Sequence, residues 1–184
     1  MKHFITSILL LNCYLLHAQT TYVPDDNFEQ ALIDLGYDDV LDDYVLTENI
    51  SGVTSLDVGE KEISDLTGIE AFTALDVLYC DNNQLTSLDV SSNTALTGLW
   101  CNSNSLTSLD VSTNTSLTSL RCHDNQLTSL DVSANTALTY LYCYTNQLAA
   151  LDVSANTALT LLAGSINELT ALDVSNNTAL TSLY

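Results

Sequence analysis

Cys80, Cys101, Cys122 and Cys143 stand at a constant step of 21 residues, with Gly164 in the next place of the series. Thiols can pair as disulfides, hold a metal or lie buried as small hydrophobes, and the step separates these uses. Side chains pointing the same way from stacked turns have plausible Cα separations for a bridge but poor Cβ geometry. They also form a line, where zinc takes a tetrahedron. Free, buried thiols fit best, and glycine in the fifth place agrees, since a small residue suffices there.

Asp89, Asp110, Asp131, Asp152 and Asp173 keep the same step, each followed two residues on by Ser91, Ser112, Ser133, Ser154 or Ser175. Carboxylates stacked at strand spacing, roughly 4.8 Å, repel one another. That predicts raised folded-state pKa values and a chain more stable near about pH 5 than at neutrality. Calcium, with about six to eight oxygen ligands, would relieve the repulsion, so these five aspartates are the weak candidates for a metal site. The glycine-rich ligand loops of calcium solenoids are missing. A solvated acidic face that needs no cofactor and keeps the chain monomeric is the simpler reading. His123 has Arg121 and Asp124 beside it, but no nucleophile, base and orienting group can be assembled around it. No catalytic residue, and no enzyme, is expected.

Three further columns change from turn to turn. Val77, Gly98, Ser119, Tyr140 and Leu161 form one. Tyr79, Trp100, Arg121, Tyr142, Ala163 and Tyr184 form the next, and Asp81, Asn102, His123, Tyr144 and Ser165 the third. The aspartate side of each turn repeats almost unchanged, so shielding a core does not explain why this side varies. Exposed Tyr and Trp with one Arg are the residues that anchor interfaces, and they also stack on sugar rings. Aromatic residues also suit strands and pair across them. The candidate ligand-binding residues are Tyr79, Trp100, Arg121, His123, Tyr140, Tyr142, Tyr144 and Tyr184.

These columns exist because the chain repeats. Five turns of 21 residues run from 75 to 179, each reading LxxLx(C/G)xxNxLxxLDVSxNxx, after a less regular turn at 53–74. The two halves of a turn resemble one another, and each alternates inward and outward residues as a short strand does. Strands are therefore expected near 77–81 and 87–91, with little or no helix in the repeats. Equal spacing on both sides predicts a nearly straight solenoid. One turn alone cannot offset the entropy of ordering its residues, so stability must come from stacking. Asn83, Asn104, Asn125, Asn146 and Asn167 form one asparagine column, and Asn93, Asn114, Asn135, Asn156 and Asn177 another. Both suit the corners of a coil, where amides bond backbone groups.

The chain has 184 residues, with Lys+Arg 3 against Asp+Glu 23 and a net charge of −20. Lys2 and His3, the apolar run Phe4–Leu16 and Ala18 read as a signal peptide over 1–18, too short to span a bilayer. Its removal takes Lys2 and leaves −21. That balance repels nucleic acid and anionic membrane surfaces. Residues 19–52 read as an amino-terminal cap with a helix near 25–35. Acidic residues open the helix, Phe28, Leu32 and Leu35 share a face, and Gly36 stops it. The solenoid fills 53–184 and is carboxy-terminally incomplete. Tyr184 lies inside a seventh turn with no polar cap, so further repeats, with or without a sorting domain, are expected to follow.

The LxxLxLxxN pattern resembles bacterial leucine-rich repeats of the nested class called IRREKO, in which both halves carry the motif. Ile63-Ser-Asp-Leu-Thr-Gly-Ile69 is similar to internalin repeats, and Val23 to Gly36 resembles the amino-terminal caps of exported Bacteroidetes repeat proteins. The resemblance implies a mainly β leucine-rich-repeat solenoid, secreted or at the cell surface, contacting a protein or glycan ligand and inserting in no membrane. It transfers no catalytic residue. A binding or adhesion module is the expected function, and a passive spacer of a larger surface protein is the alternative.

Overall fold

A computed structural model describes residues 19–184. The expected leader over 1–18 lies outside the described residues. The cap begins with β1 (Thr20–Tyr22), followed by α1 (Asp26–Asp34), β2 (Tyr44–Leu46) and α2 (Thr47–Ile50). β1 and β2 pair antiparallel, an element the sequence had not indicated. Asp25 caps α1 by accepting the N–H groups of Asn27 and Phe28 at 3.0 Å. Phe28, Ala31 and Leu32 are buried, and the Phe28 ring meets Phe72 of the first solenoid turn at 6.4 Å between centroids. Leu35 was expected on the same face but is 44% exposed. The helix ends at Asp34, so residue 35 leaves the apolar stripe, and Gly36 closes the element at φ +80°. Buried Glu29 accepts the N–H groups of Asp42 and Tyr44 at 2.9 and 3.1 Å, which fixes the acidic loop before β2.

The solenoid contributes one parallel strand per turn: β3 (Ser55–Asp57), β4 (Val77–Tyr79), β5 (Gly98–Trp100), β6 (Ser119–Arg121), β7 (Tyr140–Tyr142), β8 (Leu161–Ala163) and β9 (Ser182–Leu183). They form a seven-stranded sheet in sequence order. Leu78, Leu99, Leu120, Leu141 and Leu162 are in register and fully buried. Ladder bonds continue past the strand, from Cys80 N–H to Trp100 O at 2.8 Å and from Asn82 N–H to Asn102 O at 3.0 Å. Apart from a 3-10 turn at Ile69–Ala71, no helix falls in residues 53–184. The fold is a mainly β parallel solenoid of about six turns with little helix.

The second strand expected near 87–91 does not form. Its backbone groups are satisfied in other ways. Asp89 accepts the N–H of Ser91 at 2.9 Å. The amide of Asn114 donates to Val90 O at 3.0 Å and to Asn93 O at 2.9 Å, and the same contacts recur one turn on at Asn135. Side chains thus take bonds that a ladder would use, and the equal spacing that would make the solenoid straight is not imposed on this side.

After each strand the chain bends through a left-handed residue. Asn82, Ser103, Asp124, Thr145 and Ile166 have φ between 51° and 55°. The other asparagine column secures the bend. Asn125 donates to Cys101 O at 3.0 Å and Cys122 O at 3.1 Å, and its Oδ1 accepts the N–H of Leu106 at 3.0 Å. The four cysteines are buried and free. Burial pushes the thiols of Cys101 and Cys143 up to about 12 and those of Cys80 and Cys122 well above their usual value, so they pack as neutral small hydrophobes.

Candidate functional site

The outward positions of the strands make one face of the sheet. Parallel register places Tyr79, Trp100, Arg121 and Tyr142 in neighbouring turns of a single column. Side chains stacked this way meet along the solenoid axis. The Arg121 guanidinium lies 3.8 Å from the centre of the Trp100 ring and 5.1 Å from that of Tyr142. Tyr79 packs against Trp100 with centroids 4.4 Å apart and planes at 86°. One column over, His123 stacks on Tyr144 at 4.2 Å and 28°.

The structure therefore joins Tyr79, Trp100, Arg121, Tyr142, His123 and Tyr144. It does not join the other two candidates to them. Tyr140 sits in the neighbouring column, 47% exposed, and Tyr184 is 70% exposed with Ala163 holding the place between it and Tyr142. Sequence reasoning placed the rings but missed their orientation. Tyr79 meets Trp100 edge to face and Arg121 covers the Trp100 ring, so the rings do not lie side by side in one flat apolar platform. The available signal was the column itself, because rings at strand spacing are close enough to stack.

Two nitrogens in the cluster are enclosed without a partner, Arg121 Nε and His123 Nδ1. His123 has a side chain only 12% exposed, with Nε2 3.9 Å from Asp124 Oδ2. Burial lowers its pKa, and nearby Arg121 lowers it further against the opposing pull of Asp124. A neutral imidazole stacked on Tyr144 follows at neutral pH.

On the opposite side of the turn, Asp89, Asp110, Asp131, Asp152 and Asp173 are exposed, and their expected pKa shift is reversed. Each carboxyl is held below its ordinary value by hydrogen bonds from the serine two residues on, through hydroxyl and N–H. Like-charge repulsion acts at Asp110 and Asp152 but is the weaker effect. The sign of the pH dependence reverses with it. A depressed folded pKa gives stability that is complete above the unfolded value, about 3.9, and is lost as pH falls through the folded value. The melting temperature should therefore fall on acidification below about pH 4 rather than peak near pH 5. Replacing Asp110, Asp131 and Asp152 with Asn should flatten that fall, as a thermal melt at each pH would show. A wild-type maximum near pH 5 would restore the repulsion account. Among the described residues, no group of three or more His, Cys, Asp or Glu could hold a metal ion.

Residues 115–156 match the family model for leucine-rich repeats in two copies. Over 72 residues the chain is 46% identical to Internalin J of Listeria monocytogenes serotype 4b, a stretch covering 39% of this chain and 8% of that protein. A solved functional domain of InlJ from Listeria monocytogenes, which includes a cysteine ladder, superposes with a TM-score of 0.83 at 45% identity, over 90% of this chain and 38% of that one. A leucine-rich-repeat protein of Leptospira interrogans gives 0.61 at 28% identity, covering 65% of this chain and 33% of its own. Internalin C2 of Listeria monocytogenes gives 0.66 at 21% identity over 90% and 87%, a likeness of fold alone. The chain thus spans well under half of Internalin J and of its solved domain. Among the described residues, no helix is long and apolar enough to cross a membrane.

Proposed function

We propose that this leucine-rich-repeat chain with internalin-like homologues is an exported, non-catalytic adhesion module that recognises a protein through the outer face of its parallel sheet. The observation that carries this is the cation–aromatic column from Tyr79 to Tyr142, on the one side of the turn that varies while the aspartate side repeats almost unchanged. Export rests on the leader-like segment 1–18, and the acidic opposite side favours a monomer. A protein partner is preferred to a glycan because a Trp100 face that would cover a sugar is already occupied by the Arg121 guanidinium. Rings locked by mutual stacking bind with little further loss of rotamer entropy.

The test is array binding with the whole protein, followed by variants on both sides of the turn. Replacing Trp100 and Tyr142 with serine leaves the inward Leu99, Cys101, Leu141 and Cys143 untouched. It should weaken binding by about 2 kcal/mol or more, roughly thirtyfold. Replacing Asp110 and Asp131 with serine should change little. If the aspartate variants lose the ligand while the aromatic variants keep it, recognition lies on the other side. If no variant or array condition shows binding, the passive spacer becomes the better account.

A further inference from the structure

Arg121 is an unusual residue in its setting. The protein has Lys+Arg 3 against Asp+Glu 23, yet among the described residues Arg121 forms no ion pair. The ion contact nearest to it joins His123 and Asp124. Its partners are π faces instead, Trp100 on one side and Tyr142 on the other. Nε is enclosed and unpartnered, while the two terminal nitrogens stay at the surface. A guanidinium clamped by both faces keeps only its edge for other work. That edge is a planar fork of N–H donors with the spacing of a carboxylate.

The surroundings reinforce this. The phenols of Tyr79 and Tyr142 and the indole N–H of Trp100 make no hydrogen bond within the described protein, so the outward edge of the column is a row of unspent donors. Asp57 continues the column beside Tyr79, and Asp81 and Asp124 stand next to it, but none of the three pairs with Arg121. Such an edge suits a ligand that brings acceptors and negative charge. At about 0.15 M salt charges beyond roughly 8 Å are screened, so the aspartate column across the turn weighs little, and the nearer Asp81 and Asp124 leave the Arg121 fork unpaired.

We propose that Arg121, held between Trp100 and Tyr142, is the receptor for an aspartate or glutamate carboxylate on an acidic segment of a protein partner, bound fork to fork and flanked by the Trp100 and tyrosine donors. This rests on the sheet face being the binding surface. It adds the chemistry of the partner: acidic and peptidic. Pre-stacking removes most of the entropy loss an exposed arginine would pay, so one bidentate contact becomes a useful anchor.

Trp100 is the only tryptophan in the chain, so its emission reports on the clamp directly. Short oligo-L-glutamate should produce a saturable change in Trp100 fluorescence, matched by heat in a calorimetric titration of the whole protein. Oligo-L-lysine and oligo-L-glutamine should give neither. Arg121→Gln should weaken the oligo-glutamate by roughly tenfold or more, and Arg121→Lys should recover only part, since an ammonium cannot fork. Circular dichroism of both variants should match the parent, because the side chain lies outside the core. No response to oligo-L-glutamate overturns the proposal. So does a polygalacturonate response stronger than that to the peptide, which would make the ligand an acidic sugar. If a partner found on arrays is lost with Trp100→Ser but kept with Arg121→Gln, the clamp fails while the binding face stands.

Discussion

Asn125→Ala should lower the stability of the solenoid by about 3 kcal/mol, and Asn135→Ala by distinctly less, although both asparagines are buried and lie in matching columns. Asn125 bonds four backbone groups at once, the carbonyls of Cys101, Cys122 and His123 and the N–H of Leu106. Alanine would orphan the Leu106 N–H, and an orphaned buried polar group costs about 1–3 kcal/mol. It would also discard bonds to carbonyls that each keep another donor, Asn104 at 3.2 Å for Cys101 O and Asn146 at 3.0 Å for Cys122 O. Partial relaxation and water entry bring the total below the simple sum. Asn135 differs in its oxygen. Its amide donates to Val111 O at 3.0 Å and Asn114 O at 2.8 Å, but Oδ1 has no partner, as at Asn93, Asn114, Asn156 and Asn177. Removing Asn135 therefore discards two bonds and also an unsatisfied oxygen. Urea midpoints for the two variants, with unchanged m-values, give the ranking. An Asn135 variant as damaged as Asn125 would mean that the column oxygens are satisfied by bound water.

Asp25→Ala should cost a similar amount, about 3 kcal/mol, through a different mechanism. One carboxyl oxygen caps α1. The other accepts the N–H of Ser64 at 2.9 Å, its hydroxyl at 2.7 Å and the N–H of Asp65 at 3.0 Å. A single side chain thus starts the cap helix and ties it to the first turn of the solenoid, closing about 40 residues of chain. Loss of an N-cap alone costs about 1 kcal/mol, and hydrogen bonds to a charged group about 1.5–3 kcal/mol. Burial pushes the Asp25 pKa up, but the hydrogen bonds from Ser64, Phe28 and Asp65 outweigh it and the net shift is downward. Its stabilising effect is therefore complete above the unfolded value of about 3.9 and fades as pH falls through the lower folded value. The gap between parent and Asp25→Ala, measured by denaturant melts, should close on going from about pH 6 to below pH 3. A gap that does not change with pH would leave the carboxylate no role beyond its shape.

The sequence by itself determined the solenoid. Leucine and cysteine at a 21-residue step admit only a stack of turns with those residues inside, and the observed core is that set, from Leu75, Leu78 and Cys80 to Leu159 and Leu162. The free state of the buried cysteines followed from the same step, because side chains pointing one way cannot bridge. The first strand was legible too, and so was the column that carries Trp100 and Arg121, since register between identical turns leaves no freedom. What the tertiary structure decided was the fate of groups whose partners lie a turn away. Both halves of the repeat alternate in the same way, yet only the first forms a strand. In the second, Asp89 turns its carboxylate to Ser91, and the asparagine column takes the carbonyls. Alternation reports which side chains are inside but not which acceptor a backbone N–H will find. The same limit reversed the aspartate titration. The 21-residue step implied the repulsion, while the hydrogen bonds that exceed it depend on local backbone geometry. It also hid the chemistry of the binding face, because residue types name a ring or a guanidinium, and only packing says whether its face or its edge meets the solvent.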